Sequence, residues 1–89
     1  MPEISWFYGI RVKMHHRDFG RHNMPHIHVE YQGFEAVYSI PDGQLMSGEL
    51  PRRQTNKVED WIEERQEELM QNWQLAVTGQ KLFRIDPLL

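Results

Sequence analysis

The amino-acid sequence predicts an α+β domain in which a curled antiparallel sheet of three to four strands packs against a C-terminal helical segment. Three observations predict this fold class. Apolar residues recur at every second position in the first half of the chain, turn-forming residues separate these alternating runs, and after Pro51 the apolar residues recur at helical spacing instead. Because 89 residues can bury one modest core, we expect residues 1–89 to form a single domain.

The composition excludes several classes of protein. The chain is 39% hydrophobic and 26% charged, as is typical of a globular protein, and it contains no cysteine. A disulfide framework and a thiolate metal site are therefore excluded, and a metal ion would have to be held by His, Asp or Glu. Small domains without disulfides are typical of reducing compartments, so we expect a cytoplasmic protein. The sequence shows no signal-peptide pattern and no run near the roughly 18 apolar residues of a membrane span, so we expect no membrane association.

The first predicted strand covers residues 5–14 and has one apolar face. Its alternating apolar residues are Ile4, Trp6, Tyr8, Ile10, Val12 and Met14. Within this pattern we expect Trp6 and Tyr8 to be core or core-edge aromatics. Residues 15–25 are polar and contain Gly20 and Pro25, so we expect them to form a loop that is longer than a tight hairpin requires.

The next two strands are predicted to form a hairpin whose register the sequence specifies. Strand 26–32 ends at Gln32-Gly33, and a two-residue turn there starts the following strand at Phe34. This turn predicts six cross-strand pairs: Tyr31 with Phe34, Val29 with Ala36, Ile27 with Tyr38, Glu30 with Glu35, His28 with Val37 and His26 with Ser39. A second turn at Pro41-Asp42-Gly43 leads to a short strand over residues 44–49.

The region after Pro51 carries one apolar stripe at helical spacing. The stripe consists of Val58, Trp61, Ile62, Leu69, Met70, Trp73, Ala76 and Val77. It predicts either one helix over residues 52–78, kinked near residues 65–66, or two helices, because a straight helix of that length would extend roughly 40 Å. We interpret the stripe as core packing. Gly79 is well placed to end the helix, and residues 83–85 are predicted to form a short strand or an extended tail.

The histidines mark the candidate site. The alternation from His26 to Glu30 places His26, His28 and Glu30 on one strand face and the intervening apolar residues on the other. One interpretation is catalysis without a cofactor, in which His26, His28 and His22 act as general acid and base. For this we expect the His26 and His28 imidazoles to lie side by side and open to solvent. The nearby basic residues would bind a phosphate, and these are Arg11, Lys13, Arg17 and Arg21. RNA is the expected substrate, because its own 2′-hydroxyl supplies the nucleophile.

Other interpretations of the same residues remain open. His26, His28 and Glu30 could bind a divalent metal such as Zn²⁺, which would make the chain a metal-binding module or a metal-dependent hydrolase. The segment could also be a docking surface for another protein. In the purely structural interpretation, the histidines cap the loop over residues 15–25 and bond to backbone groups. The basic N-terminal part could attract an anionic partner, or it and the acidic run over residues 59–68 could simply complement each other.

Four segments of the chain resemble the domain-of-unknown-function family 4160, a family of small bacterial proteins. They are Met1-Pro2-Glu3-Ile4-Ser5, Pro25-His26-Ile27-His28-Val29-Glu30-Tyr31, Gly48-Glu49-Leu50-Pro51 and Glu67-Glu68-Leu69-Met70-Gln71-Asn72-Trp73. The family pattern has two prolines before the first histidine of its Pro-His-x-His run, where this chain has Met24-Pro25.

The resemblance implies a short cytoplasmic protein encoded beside a second small protein, in a pair that resembles a toxin–antitoxin module. By analogy it implies a protein partner encoded by the adjacent gene and a toxin role for this chain. His15 and His16 match no feature of the family, so we rank them below His26 and His28. The sequence leaves the oligomeric state open.

Overall fold

The computed structural model describes residues 3–15 and 24–89, which form five strands and two helices. In chain order these are β1 (Glu3–Phe7), β2 (Ile10–Lys13), β3 (His26–Tyr31), β4 (Phe34–Ser39), β5 (Leu45–Gly48), α1 (Arg52–Glu64) and α2 (Gln66–Val77). The predicted α+β class is confirmed, with five strands in place of three to four. The described residues contain no helix that is long and apolar enough to cross a membrane.

The extra strand arises because the first predicted strand is a hairpin. β1 and β2 are joined by Tyr8 and Gly9, whose φ angles of 49° and 78° are those of a two-residue type I′ turn. The turn shifts the apolar alternation by one residue, so Phe7 is buried while Trp6 is 55% and Tyr8 52% exposed. The expectation that Trp6 and Tyr8 belong to the core is therefore wrong.

The five strands form one antiparallel sheet in the order β1-β2-β3-β4-β5, so each strand pairs with its neighbour in sequence. The β3–β4 hairpin has all six predicted pairs, from His26 opposite Ser39 to Tyr31 opposite Phe34. Its turn residues, Gln32 and Gly33, both have positive φ. The predicted register is therefore confirmed. Its physical reason is that a slip by one residue would turn the whole apolar face toward water.

The helices pack on one face of the sheet. The Phe7 and Trp61 rings lie 5.2 Å apart, and the Tyr38 hydroxyl donates a 3.4 Å hydrogen bond to Oγ1 of Thr55. Buried apolar side chains from both layers form the core, and they include Ile10, Val12, Ile27, Val29, Ile40, Val58, Ile62 and Leu69. Each buried side chain of this kind contributes about 1.5–3 kcal/mol. The apolar stripe of the helical region is core packing, as predicted.

The helical region divides in two at Arg65, whose φ of −113° and ψ of 27° lie outside the helical range. Gln66 fixes the bend, because its side-chain amide donates hydrogen bonds to the Ile40 carbonyl of the sheet and to the Ile62 carbonyl of α1. The interruption predicted near residues 65–66 is therefore a break between two helices. A bend at this point lets both helices cover a sheet that one straight helix would overrun.

The C-terminal tail lies along the β1 side of the fold. Ile85 donates a 2.8 Å backbone hydrogen bond to the Ile4 carbonyl, and the Trp61 indole donates one of 2.8 Å to the Asp86 carbonyl. The buried Asn72 bonds both to the carbonyl and to the amide of Phe83, at 2.8 and 3.0 Å. Residues 80–89 form no strand, and the tail joins the edge of β1 at the Ile85–Ile4 bond.

The opposite face of the sheet carries mainly polar side chains, because residues along a strand alternate between the two faces. We call this surface the polar face, and its described residues are Glu3, Trp6, Arg11, Lys13, His28, Glu30, Glu35, Val37 and Ser47. It contains most of the described residues that the sequence singles out for function.

Candidate functional site on the polar face

His28 lies near the centre of the polar face and is partly exposed. The β2–β3 register places Lys13 opposite His28 and Arg11 opposite Glu30. The β3–β4 register then places Glu35 on the other side of Glu30. An imidazole, two cations and two carboxylates thus share one surface on the three middle strands.

A series of four aromatic rings connects α2 to this surface. The Trp73 and His26 rings lie 5.0 Å apart, the His26 and His28 rings 5.2 Å, and the His28 and His15 rings 3.9 Å. The His26 and His28 planes meet at 66°, whereas the His28 and His15 planes differ by 32°. His15 and His28 are therefore stacked, and His26 contacts them from the side.

His26 is buried at 1% exposure, so the expectation that both strand imidazoles are open to solvent is wrong for this residue. The physical reason is Trp73 of α2, whose ring packs against it. His26 Nδ1 lies 2.7 Å from the Met24 carbonyl, and since a carbonyl only accepts, this nitrogen carries a proton. A ligand approaching the polar face meets His28 and His15 before it meets His26.

The structure places His15 beside His28, and the sequence contains a signal for this placement. Val12 and Met14 are buried, so the alternation in β2 turns Lys13 and His15 toward the polar face. Once Lys13 is paired with His28, His15 follows on the same side of the sheet. The pairing of β2 with β3 was the missing step, because the long loop between them specifies no register.

The two described cations of the predicted anion site are engaged by carboxylates. Lys13 Nζ lies 2.9 Å from Glu30 Oε2, and Arg11 Nε lies 3.9 Å from Glu3 Oε2. The Arg11 guanidinium also lies 5.7 Å from the centre of the Trp6 ring, within cation–π range. These contacts partly neutralise the positive charges that would otherwise attract a phosphate. Arg17, Arg21 and His22, which complete the predicted site, are outside the described residues.

The predicted metal set is not assembled by the described residues. Among residues 3–15 and 24–89, no group of three His, Asp or Glu side chains is placed to hold a metal ion. Within the set His26, His28 and Glu30, the Glu30 carboxylate is bonded to Lys13 and His26 Nδ1 is directed at a carbonyl.

A cavity of about 330 Å³ opens on the polar face beside His28. Its polar lining comes from His15, His28, Glu30, Glu35 and Ser47, and Gly48 forms part of the wall. Gly48 has a φ of 74°, and a Cβ added there would lie 2.1 Å from the Glu35 carbonyl oxygen. The close approach of β5 to β4 at this wall therefore requires glycine.

The stacked imidazoles limit the chemistry of the cavity. Rings with centroids 3.9 Å apart are in van der Waals contact, so no phosphate group fits between His15 and His28. The two rings cannot act from opposite sides of a scissile bond in this arrangement. With Glu35 on the wall, the cavity suits hydrogen bonding to a polar or cationic group better than to a phosphate.

Fold and site together define a class: a small α+β domain with two helices on one face of a five-strand antiparallel meander and an imidazole-lined cavity on the other face. The chain belongs to the family described as Domain of unknown function (DUF4160), whose sequence profile matches residues 9–74. No curated protein and no solved structure matches the chain. The family resemblance noted from the sequence is confirmed.

Proposed function

We propose that this chain is the small component of a two-protein, toxin–antitoxin-like module in the bacterial cytoplasm. It acts by binding a protein partner, the product of the adjacent gene, through the polar face. The gene pairing is what the family resemblance implies. The choice of a protein partner is supported by the charge balance of the polar face.

The described polar face has no surplus of positive charge. Arg11 and Lys13 are matched by Glu3, Glu30 and Glu35 on the same surface. Binding to RNA depends on an excess of Lys and Arg facing the phosphates. Protein interfaces instead combine charges of both signs at the rim with aromatic residues at the centre. The balance of charges on the polar face therefore favours a protein over a polyanion as the binding partner.

Trp6 is the expected anchor of the interface. It is 55% exposed on the polar face, and the guanidinium of Arg11 lies over its ring. Trp and Arg, together with Tyr, are the residue types most enriched among the few side chains that dominate binding energies. The neighbouring cavity offers His28 and Glu35 to a polar side chain of the partner.

The test is co-expression with the product of the adjacent gene, followed by measurement of the complex affinity for single variants. We expect Trp6→Ala to weaken the complex about 30-fold, the effect of losing one dominant side chain of about 2 kcal/mol. Tyr8→Ala is the matched control, because Tyr8 is 52% exposed but contacts Lys57 of α1, whose Nζ lies 4.1 Å from its ring. The control variant should bind like the unaltered protein.

Failure to form a complex, or equal affinities for the two variants, would refute the proposal. The toxin role has a separate readout. Expression of this chain alone should slow growth, and co-expression of its partner should restore it. Normal growth in both cases would refute the toxin role. The binding role would still be tested by the affinity measurements.

RNA cleavage stays a prediction. Of the three histidines predicted to catalyse it, His26 is buried and His22 is outside the described residues, so the test falls on His28. His28→Ala would then abolish cleavage of a single-stranded RNA by the purified protein. The metal-dependent alternative needs ligands beyond residues 3–15 and 24–89, since no three described side chains form a site.

A further inference from the structure

The two edges of the sheet differ in how they are protected. The edge at β1 is covered by the tail through the hydrogen bond from Ile85 to Ile4. The edge at β5 is the end of the strand order. An uncovered edge presents a row of backbone donors and acceptors, which an added strand can pair with.

β5 is a short strand whose register against β4 shifts between Val37 and Tyr38, but it lacks the residue types that usually guard such an edge. Its sequence, Leu-Met-Ser-Gly over residues 45–48, contains no charge and no proline. Leu45 is 49% exposed, although it is a large apolar side chain. Natural sheets commonly place Lys or Pro on an edge to prevent pairing with another chain. The composition of β5 therefore permits strand addition.

A cavity of about 570 Å³ lies beside the start of β5, between the β4–β5 turn and the helices. Its apolar lining comes from Leu45 and Ile62, and its acidic rim from Asp42, Glu59 and Glu63. None of these three carboxylates takes part in the ion pairs formed within residues 3–15 and 24–89. An apolar floor with an acidic rim is complementary to a long basic side chain, whose stem is apolar and whose end is positive.

We propose that β5 accepts an extended, basic segment of a protein partner as a sixth strand, with a Lys or Arg side chain of that segment in the acidic cavity. Backbone pairing would supply the affinity, and the carboxylates would select the charge. A second copy of this chain is a poor occupant, because pairing two β5 edges would bring two acidic rims together in a chain of net charge −3. The proposal shares with the proposed function only the need for a protein partner, since it uses a different surface.

The test uses the full chain and two synthetic nine-residue probes. One alternates Val and Thr and carries three Lys, and the other carries Glu at the same three positions. We expect the Lys peptide to bind at least 10-fold more tightly than the Glu peptide. In NMR spectra its binding should shift and protect backbone amides of residues 45–48. Equal affinities, no binding of the Lys peptide, or shifts confined to the polar face would overturn the proposal.

Two variants test the two parts of the site. The double variant Glu59→Gln/Glu63→Gln keeps the size of the exposed side chains but removes their charge. It should lower the affinity for the Lys peptide at least fivefold. Its matched control, Glu64→Gln/Glu67→Gln, removes two exposed charges outside the cavity lining and should have no effect. Leu45→Lys places a guarding charge on the edge and should abolish binding. Unchanged binding of the Lys peptide to Glu59→Gln/Glu63→Gln or to Leu45→Lys would overturn the proposal.

The same variants separate this inference from the proposed function. If Leu45→Lys leaves the complex with the adjacent gene's product intact while Trp6→Ala disrupts it, the strand-addition proposal fails for that partner and the polar-face proposal stands. The opposite pattern supports strand addition and refutes docking at the polar face.

Discussion

Gly48 offers the sharpest test of how the cavity on the polar face is built. Gly48→Ala should destabilise the fold through two effects. The first is backbone strain, because a φ of 74° lies in the left-handed region, where alanine costs roughly 1–2 kcal/mol. The second is steric, because the new Cβ would lie 2.1 Å from the Glu35 carbonyl oxygen and 2.9 Å from the Ala36 Cα.

The steric effect can be given a magnitude because both obstructing atoms belong to the backbone and cannot rotate away. β5 must move, and the 2.9 Å hydrogen bond from the Glu49 amide to the Glu35 carbonyl is weakened or lost. Losing it costs about 1 kcal/mol, and forcing extra volume into a packed site typically costs about 1–3 kcal/mol. We therefore expect Gly48→Ala to lower the free energy of unfolding by about 3 kcal/mol in addition to the cost of backbone strain.

Gly33→Ala is the matched control for the strain alone. Gly33 has a φ of 88°, and no atom lies within 4 Å of the position its Cβ would occupy. The assay is urea unfolding of both variants, supported by thermal unfolding. A difference of about 3 kcal/mol corresponds to roughly 12–24 °C in Tm for a domain of this size. If Gly48→Ala is no less stable than Gly33→Ala, the close approach of β5 to β4 is wrong, and with it the wall of the cavity.

Three further predictions concern single contacts. The Lys13–Glu30 pair joins side chains that are 17% and 37% exposed, so a double-mutant cycle with Lys13→Met and Glu30→Gln should give a coupling of about 0.5–1 kcal/mol that shrinks in high salt. Burial raises the pKa of Tyr38 above its ordinary value of 10.0, so the unfolded chain releases this proton first and stability should fall as the pH rises above 10.0. Tyr38→Phe should flatten that fall, and an unchanged slope would contradict the assignment. Asn72→Ala removes both hydrogen bonds to Phe83 and should lower the free energy of unfolding by about 2 kcal/mol. Hydrogen exchange should show loss of protection at the Phe83 amide. Retained protection would mean that the tail is held by other contacts.

The sequence predicted most reliably where a local rule fixed the geometry. The Gln32-Gly33 turn admits one register, so the pairs from His26 to Tyr31 followed from it. The first hairpin was missed because its turn, Tyr8-Gly9, lies inside an apolar alternation and contains no strong turn pair of the Asn-Gly kind. Trp6 was therefore assigned to the wrong face.

The candidate site was harder to predict, because it depends on contacts between distant segments. Alternation along β3 correctly gave the face on which His28 lies. It could not show that Trp73 of α2 packs over His26, since nothing in the strand specifies its neighbours from a helix. The stacking of His15 on His28 likewise depends on how β2 aligns with β3, which a long connecting loop leaves undetermined.

The hydrogen bond between Ile85 and Ile4 has a consequence for the smallest fragment that can fold. The family profile covers residues 9–74, so both partners of this bond fall outside it, on opposite sides. A fragment trimmed to those bounds would lose β1 and the tail at once. The Phe7 ring and the Asp86 carbonyl would be lost with them. The Trp61 ring would then lose its contact with Phe7, and its indole N–H would lose its hydrogen-bond acceptor. We therefore expect a fragment limited to residues 9–74 to be less stable than the full chain, which urea unfolding of the two would show.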